Sequence, residues 1–190
     1  MEPEVPVIDD RPAPATGPTA PQPGVPEPAA EDLLPVRGVW SAPPVWVLGV
    51  HGGAGESVIA DLVPEWEAAG HAWPRPVEGT HAPVLLTART HVRGLLAARA
   101  AATQWAAGVV PHADVLGLVL IADAPGRLPR SLRELTQVVS GGVPRTWRVP
   151  WSESWRLGES PTLADAPRAA RRMVDEVHSI IPNPGADGAP

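Results

Sequence analysis

The chain has 190 residues, a formal net charge of -6, and no cysteine, lysine, phenylalanine or tyrosine. Its length suits one globular domain with tails. The missing cysteine excludes disulfides, thiolate metal sites and cysteine nucleophiles, and the missing lysine excludes Schiff-base chemistry and a lysine on a phosphate.

Residues 1–36 carry seven acidic residues against one arginine, which accounts for the whole net charge. The remainder is neutral, which argues against nucleic acid as a partner. Residues 1–43 are rich in Pro, Ala and Glu and have no apolar periodicity. Such a segment buries too little surface to offset an ordering entropy of about 1–2 kcal/mol per residue, so it reads as a disordered acidic tail. It has neither the cationic start nor the apolar centre of a signal peptide, and no run of about 18 apolar residues occurs; the reading is a cytoplasmic protein without a membrane span.

Residues 44–181 read as the folded domain. Residues 45–50 predict a buried strand, followed by a glycine turn and a helix with Val58, Ile59, Leu62 and Trp66 on one face. Residues 67–82, with two X-Pro bonds, read as loop. A second strand follows at 83–90, then an alanine-rich helix at 91–108 that Gly108 stops, and a third strand at 115–122, apolar throughout. A helix over 130–142 turns Leu132, Leu135, Val138 and Val139 inward, 146–151 is a fourth short strand, and 162–181 repeats apolar residues as an amphipathic terminal helix does. Residues 182–190 read as a short disordered end. Strands alternating with helices predict a compact α/β fold, a mainly parallel sheet with helices on both faces. Ligands of such sheets sit at the carboxyl ends of the strands, where the 51–57 turn falls.

That turn is the feature that carries chemistry. A phosphate-binding loop, GxxxxGK followed by Ser or Thr, wraps phosphates in successive backbone N–H groups at a helix start, while lysine supplies charge and the hydroxyl holds magnesium. "VHGGAGES" keeps Gly52, Gly53, Gly55 and Ser57 but has Val50 for the first glycine and Glu56 for the lysine. The candidate loop is therefore Gly52, Gly53, Ala54, Gly55, Glu56 and Ser57, with Ser57 the candidate magnesium ligand. A lysine at about 4 Å from a phosphate contributes about 4 kcal/mol at an effective dielectric of 20, and a glutamate reverses the sign. A carboxylate at a helix start is favourable, so Glu56 is expected to occupy the anion position itself.

The doublet in "HGGAGES" resembles the deviant Walker A motif of the ParA/MinD family of partition and positioning ATPases, KGGxGK followed by Ser or Thr. The resemblance runs over roughly residues 45–160, beyond the loop as pattern rather than motif, and implies a P-loop NTPase-like fold. In that family the loop lysine and an earlier signature lysine both reach the nucleotide; Glu56 and His51 stand at those places here. "VLGLVLIADAP" is similar to the family's strand beside the nucleotide base. By itself it imitates a Walker B strand ending in Asp123, but its late position implies a structural or loop-capping role.

Other candidates are weaker. His51, His71, His81, His91, His112 and His178 lack metal-ligand spacing, and Ser57 and Ser152 lack a nucleophile-elbow context. Arg127, Arg130 and Arg133 read as a solvated helix face, with a patch for DNA or a partner as the sharper alternative. Trp147, Trp151 and Trp155 read as packing. Three functions stay open: a catalytically silent ParA/MinD-like protein acting through protein interaction, a weak or slow ATP-binding NTPase with Arg89 or Arg127 in place of lysine, and a DNA-associated adaptor. The first needs no cofactor, the second takes ATP and magnesium. The resemblance implies a homodimer or an active ParA/MinD-like ATPase as the partner.

Overall fold

A computed structural model describes residues 15–77 and 81–181. The chain forms β1 (Val36–Val39), β2 (Trp46–Gly49), α1 (Glu56–Ala60), β3 (Glu67–Ala68), β4 (Trp73–Pro76), β5 (Ala82–Arg89) and α2 (Val92–Ala106). It continues through β6 (Ala113–Ile121), α3 (Arg130–Ser140), β7 (Thr146–Val149), α4 (Glu153–Arg156) and α5 (Arg168–Ile180). Five strands make a wholly parallel sheet in the order β3-β2-β5-β6-β7, and β1 pairs with β4 in a separate parallel ribbon. This is the α/β architecture with a helix-flanked parallel sheet that the alternating pattern predicts. No helix among the described residues is long and apolar enough to cross a membrane.

The sheet has a core on each face because successive strand side chains point to opposite sides. Trp46, Leu48, Val84, Leu86, Leu118 and Leu120 pack with α2, the inner side of α3 and the β1–β4 ribbon. Val45, Val47, Leu85, Val119, Ile121, Trp147 and Val149 pack with α1 and α5. The strand order changes direction at β2: β3 lies on one side, while β5, β6 and β7 follow on the other. The carboxyl ends of β2 and β5 therefore flank the switch point at which open α/β sheets hold ligands.

Four expectations change. Residues 67–82 are not wholly loop, since they contain β3 and β4. A two-residue strand has no period to detect, and β4 reads "WPRP". Its prolines are tolerated because the donors to the β1 side are Trp73 N–H, to Pro35 O at 2.8 Å, and Val77 N–H, to Val39 O at 3.1 Å. The helix expected through Trp66 ends at Ala60 and continues as tight turns. Pro64 has no N–H to give and its ring collides with the carbonyl four residues back, that of Ala60. Pro167 likewise sets the start of α5 at Arg168, later than residue 162.

The fourth concerns the tail. Residues 1–14 and 182–190, read as disordered, lie outside the described residues. Residues 15–43 are ordered against the domain: Thr16 N–H donates to Pro144 O at 2.9 Å and Gln22 N–H to Ala106 O at 2.8 Å. Buried Gln104 of α2 holds Leu34 as a strand neighbour would, its Oε1 accepting from Leu34 N–H at 3.0 Å and its Nε2 donating to Leu34 O at 2.9 Å. The same Oε1 accepts from the Trp73 indole at 3.0 Å. Ordering this segment costs less than composition suggests, because prolines already restrict the unfolded chain.

Candidate functional site

The glycine loop leaves β2 at Gly49 and enters α1 at Glu56. Gly53 and Gly55 have φ of 76° and 87°, the left-handed region that favours glycine. A Cβ on Gly55 would also meet Ile121 Cδ1 at 2.5 Å, so the loop lies close over the end of β6. Ala54 is buried, and its N–H turns back to His51 O at 3.2 Å. Gly52, Gly53 and Ser57 are exposed. With five residues, α1 is little more than one turn, and a single turn aligns few peptide dipoles.

Side chains from β5, from the 70–71 turn and from the loop itself hold this loop. His51 Nε2 accepts from Arg89 N–H at 3.1 Å, and its Nδ1 lies 2.8 Å from Gly52 O. A backbone amide can only donate and a carbonyl only accept, so His51 is neutral with its proton on Nδ1. Burial pushes the His51 imidazole below its ordinary value, the Gly52 carbonyl opposing and the neighbouring His91, His71 and Arg89 adding to it. Its ring lies 5.1 Å from that of His91 at a tilt of 59°. His91 caps α2, its Nδ1 accepting from Gly94 N–H at 2.9 Å. A Cβ on Gly94 would fall 2.3 Å from Arg89 O and 2.8 Å from His51 Nε2, so this glycine lets α2 close on the brace.

Arg89, last in β5, crosses the switch point. Its Nε donates to Gly53 O at 3.4 Å and its Nη1 to Ala122 O at 3.1 Å, tying the glycine loop to the end of β6. Burial lowers its pKa and Arg156 adds to this, while Asp123 opposes. Asp123 itself is exposed, and its N–H donates to Thr90 Oγ1 at 3.2 Å. Arg89, which bonds both Gly53 O and Ala122 O, links the glycine loop to the residue before Asp123.

Glu56 turns away from the loop amides. Its Oε1 accepts from His71 N–H at 3.2 Å, and its side chain covers Gly49, where a Cβ would lie 3.2 Å from Oε2. His71, with φ of 59°, returns a bond from Nδ1 to Gly49 O at 2.5 Å. The carbonyls of Gly49, Gly52 and Gly53 are thus each met by a side-chain donor. A phosphate site is made by N–H groups converging on the ligand, whereas these side-chain contacts engage the loop's carbonyls. Among the described residues no three histidine or acidic side chains come together to hold a metal.

On the other side of Arg89, along the ends of β5, β6 and β7, lies a groove of about 600 Å3. Leu120, Leu132 and Val149 line it, together with Arg127, Arg148 and Asp123. Of the three arginines expected to form a face, Arg130 pairs with Glu134 at 2.8 Å and Arg133 donates to Leu128 O at 2.9 Å. Only Arg127 faces the groove without a partner among the described residues. A second cavity, about 670 Å3, lies between the ordered N-terminal segment, α2 and the loop residues His51 and Gly52.

Sequence reasoning singles out the glycine loop and Arg89. It misses the bracing roles of His51, His71 and His91, whose partners lie up to 38 residues away. The one local signal is His91 three residues before Gly94, at a helix start.

The chain belongs to the family of unknown function DUF6668, whose model matches residues 43–174. The match spans β2 to the middle of α5 and begins at the end of the ordered N-terminal segment. No curated protein and no solved structure matches the chain.

Proposed function

We propose that this protein is a degenerate, catalytically silent relative of the ParA/MinD-like P-loop proteins that acts through protein interaction or regulation. The observation that carries the reading is the polarity of the loop: the carbonyls of Gly49, Gly52 and Gly53 bind the protein's own His71, His51 and Arg89. The one-turn α1, the engagement of Glu56 by His71 and the absence of lysine support it further. The partner is a second copy or an active ATPase of that kind.

The competing reading, an ATP-binding protein with weak hydrolysis, draws on Arg89, a cation beside the loop. Thermal unfolding with millimolar ATP or GTP and magnesium separates the two. A ligand at 100 times its dissociation constant adds about 2.7 kcal/mol, a rise of about 5 °C or more for a domain of this size. The silent reading expects an unchanged midpoint; a rise of that size overturns it.

A further inference from the structure

We propose that the groove at the carboxyl ends of β5, β6 and β7 is a binding site for a small amphipathic organic anion, a flat apolar body bearing one carboxylate or phosphate head. This goes beyond the functional reading and does not depend on it, since the glycine loop lines no part of the groove.

Three observations converge. The volume of about 600 Å3 is that of a small-molecule cavity. Its apolar lining comes from Leu120 of β6 and Leu132 of α3, which meet on one face of the sheet. Its rim carries Arg127 and Arg148, neither with a hydrogen bond or ion pair among the described residues, against a single carboxylate, Asp123, which faces the Arg89 charge.

The register explains how Arg148 reaches the rim. It pairs with Leu120 across β6–β7, so the two project from the same face of the sheet, while its neighbours Trp147 and Val149 join the opposite core. Arg127 lies in the loop between β6 and α3. The start of α3 adds to the positive field, since Pro129 supplies no side-chain cap and no acidic residue lies in the first turn. An apolar floor with two unpaired guanidinium groups at its edge fits a ligand whose body is desolvated and whose anionic end takes charge-assisted hydrogen bonds.

The test is calorimetric titration of the full chain with three probes of one shape: 2-naphthoate, 2-naphthyl phosphate and the neutral 2-naphthalenemethanol. At least one anion is expected to bind about tenfold or more tightly than the alcohol, and Arg127→Gln with Arg148→Gln to abolish that preference. Whichever anion binds more tightly identifies the head group. Leu132→Trp, which fills the groove, is expected to remove binding of all three, and Arg75→Gln, remote on β4, to leave it unchanged. Both arginines are exposed, so the double variant is expected to melt with the wild type. No binding at millimolar probe, equal binding of anions and alcohol, or anion preference surviving the double substitution overturns the proposal. A nucleotide-induced stabilisation that persists in the double variant belongs to the glycine loop instead.

Discussion

At the end of β2 the chain turns through glycines, and the loop carbonyls are met by side chains from β5, from the 70–71 turn and from the loop itself. At the ends of β6 and β7, beyond Arg89, Arg127 and Arg148 line an open groove with Asp123, and neither arginine forms an ion pair among the described residues. Both regions lie on the carboxyl edge of the same sheet, where the fold gathers strand ends, turns and helix starts. Whether such an edge binds a ligand depends on which polar groups remain unsatisfied. The glycine loop has paired its carbonyls at Gly49, Gly52 and Gly53 with the protein's own side chains; the guanidinium groups of the groove have no such partner among the described residues.

The largest expected way to break this contrast is Gly94→Ala. The new methyl would fall on Arg89 O and His51 Nε2, so α2 must shift or the brace must open, at a cost of about 3 kcal/mol. Urea unfolding measures it, and a change below about 0.5 kcal/mol would mean that the brace is slack. Next is Gln104→Leu, which leaves Leu34 N–H, Leu34 O and the Trp73 indole without their partner and is expected to cost about 2 kcal/mol. Limited proteolysis of the variant should cut first within residues 15–43.

Glu56→Lys is expected to cost about 1 kcal/mol, because His71 N–H loses its acceptor. It should bring no thermal stabilisation by magnesium-ATP. A gain of several degrees would show that charge alone silences the loop, and the contrast with the groove would narrow.

The smallest effect is pH dependence. Burial holds His51, and also His112, below the ordinary histidine value of about 6.5. Below that pH the unfolded chain binds protons that the folded chain does not, so this contribution to stability is present above about pH 6.5 and is lost as pH falls through it. Stability is expected to drop between about pH 7.5 and 5.5, and His51→Asn should make the drop shallower. An unchanged slope would mean that His51 titrates normally.

Much of the fold is legible in the residues alone. The apolar runs of β5 and β6, too continuous for a half-exposed strand, predict strands covered on both faces, and Leu85 and Leu86 do face opposite cores. The strand–glycine–helix layout locates the loop. The short β3 and the proline-bearing β4 are hidden, because a parallel partner such as β1 decides which prolines are tolerated. The docking of residues 15–43 is hidden too: its contacts are hydrogen bonds to Ala106, Pro144 and Gln104, which leave no trace in apolar periodicity.

By itself, the sequence determined the chemical inventory and the local rules. It excluded lysine and thiol chemistry, placed glycines where the left-handed backbone at 53 and 55 requires them, and with Pro64 and Pro167 set where helices end and begin. Only the tertiary structure decided the polarity of the loop and the openness of the groove. Those follow from where Arg89, His71 and Arg148 are carried by strands and turns distant along the chain. A charge or a hydrogen-bond donor acts over a few ångströms in space, whatever its distance in sequence.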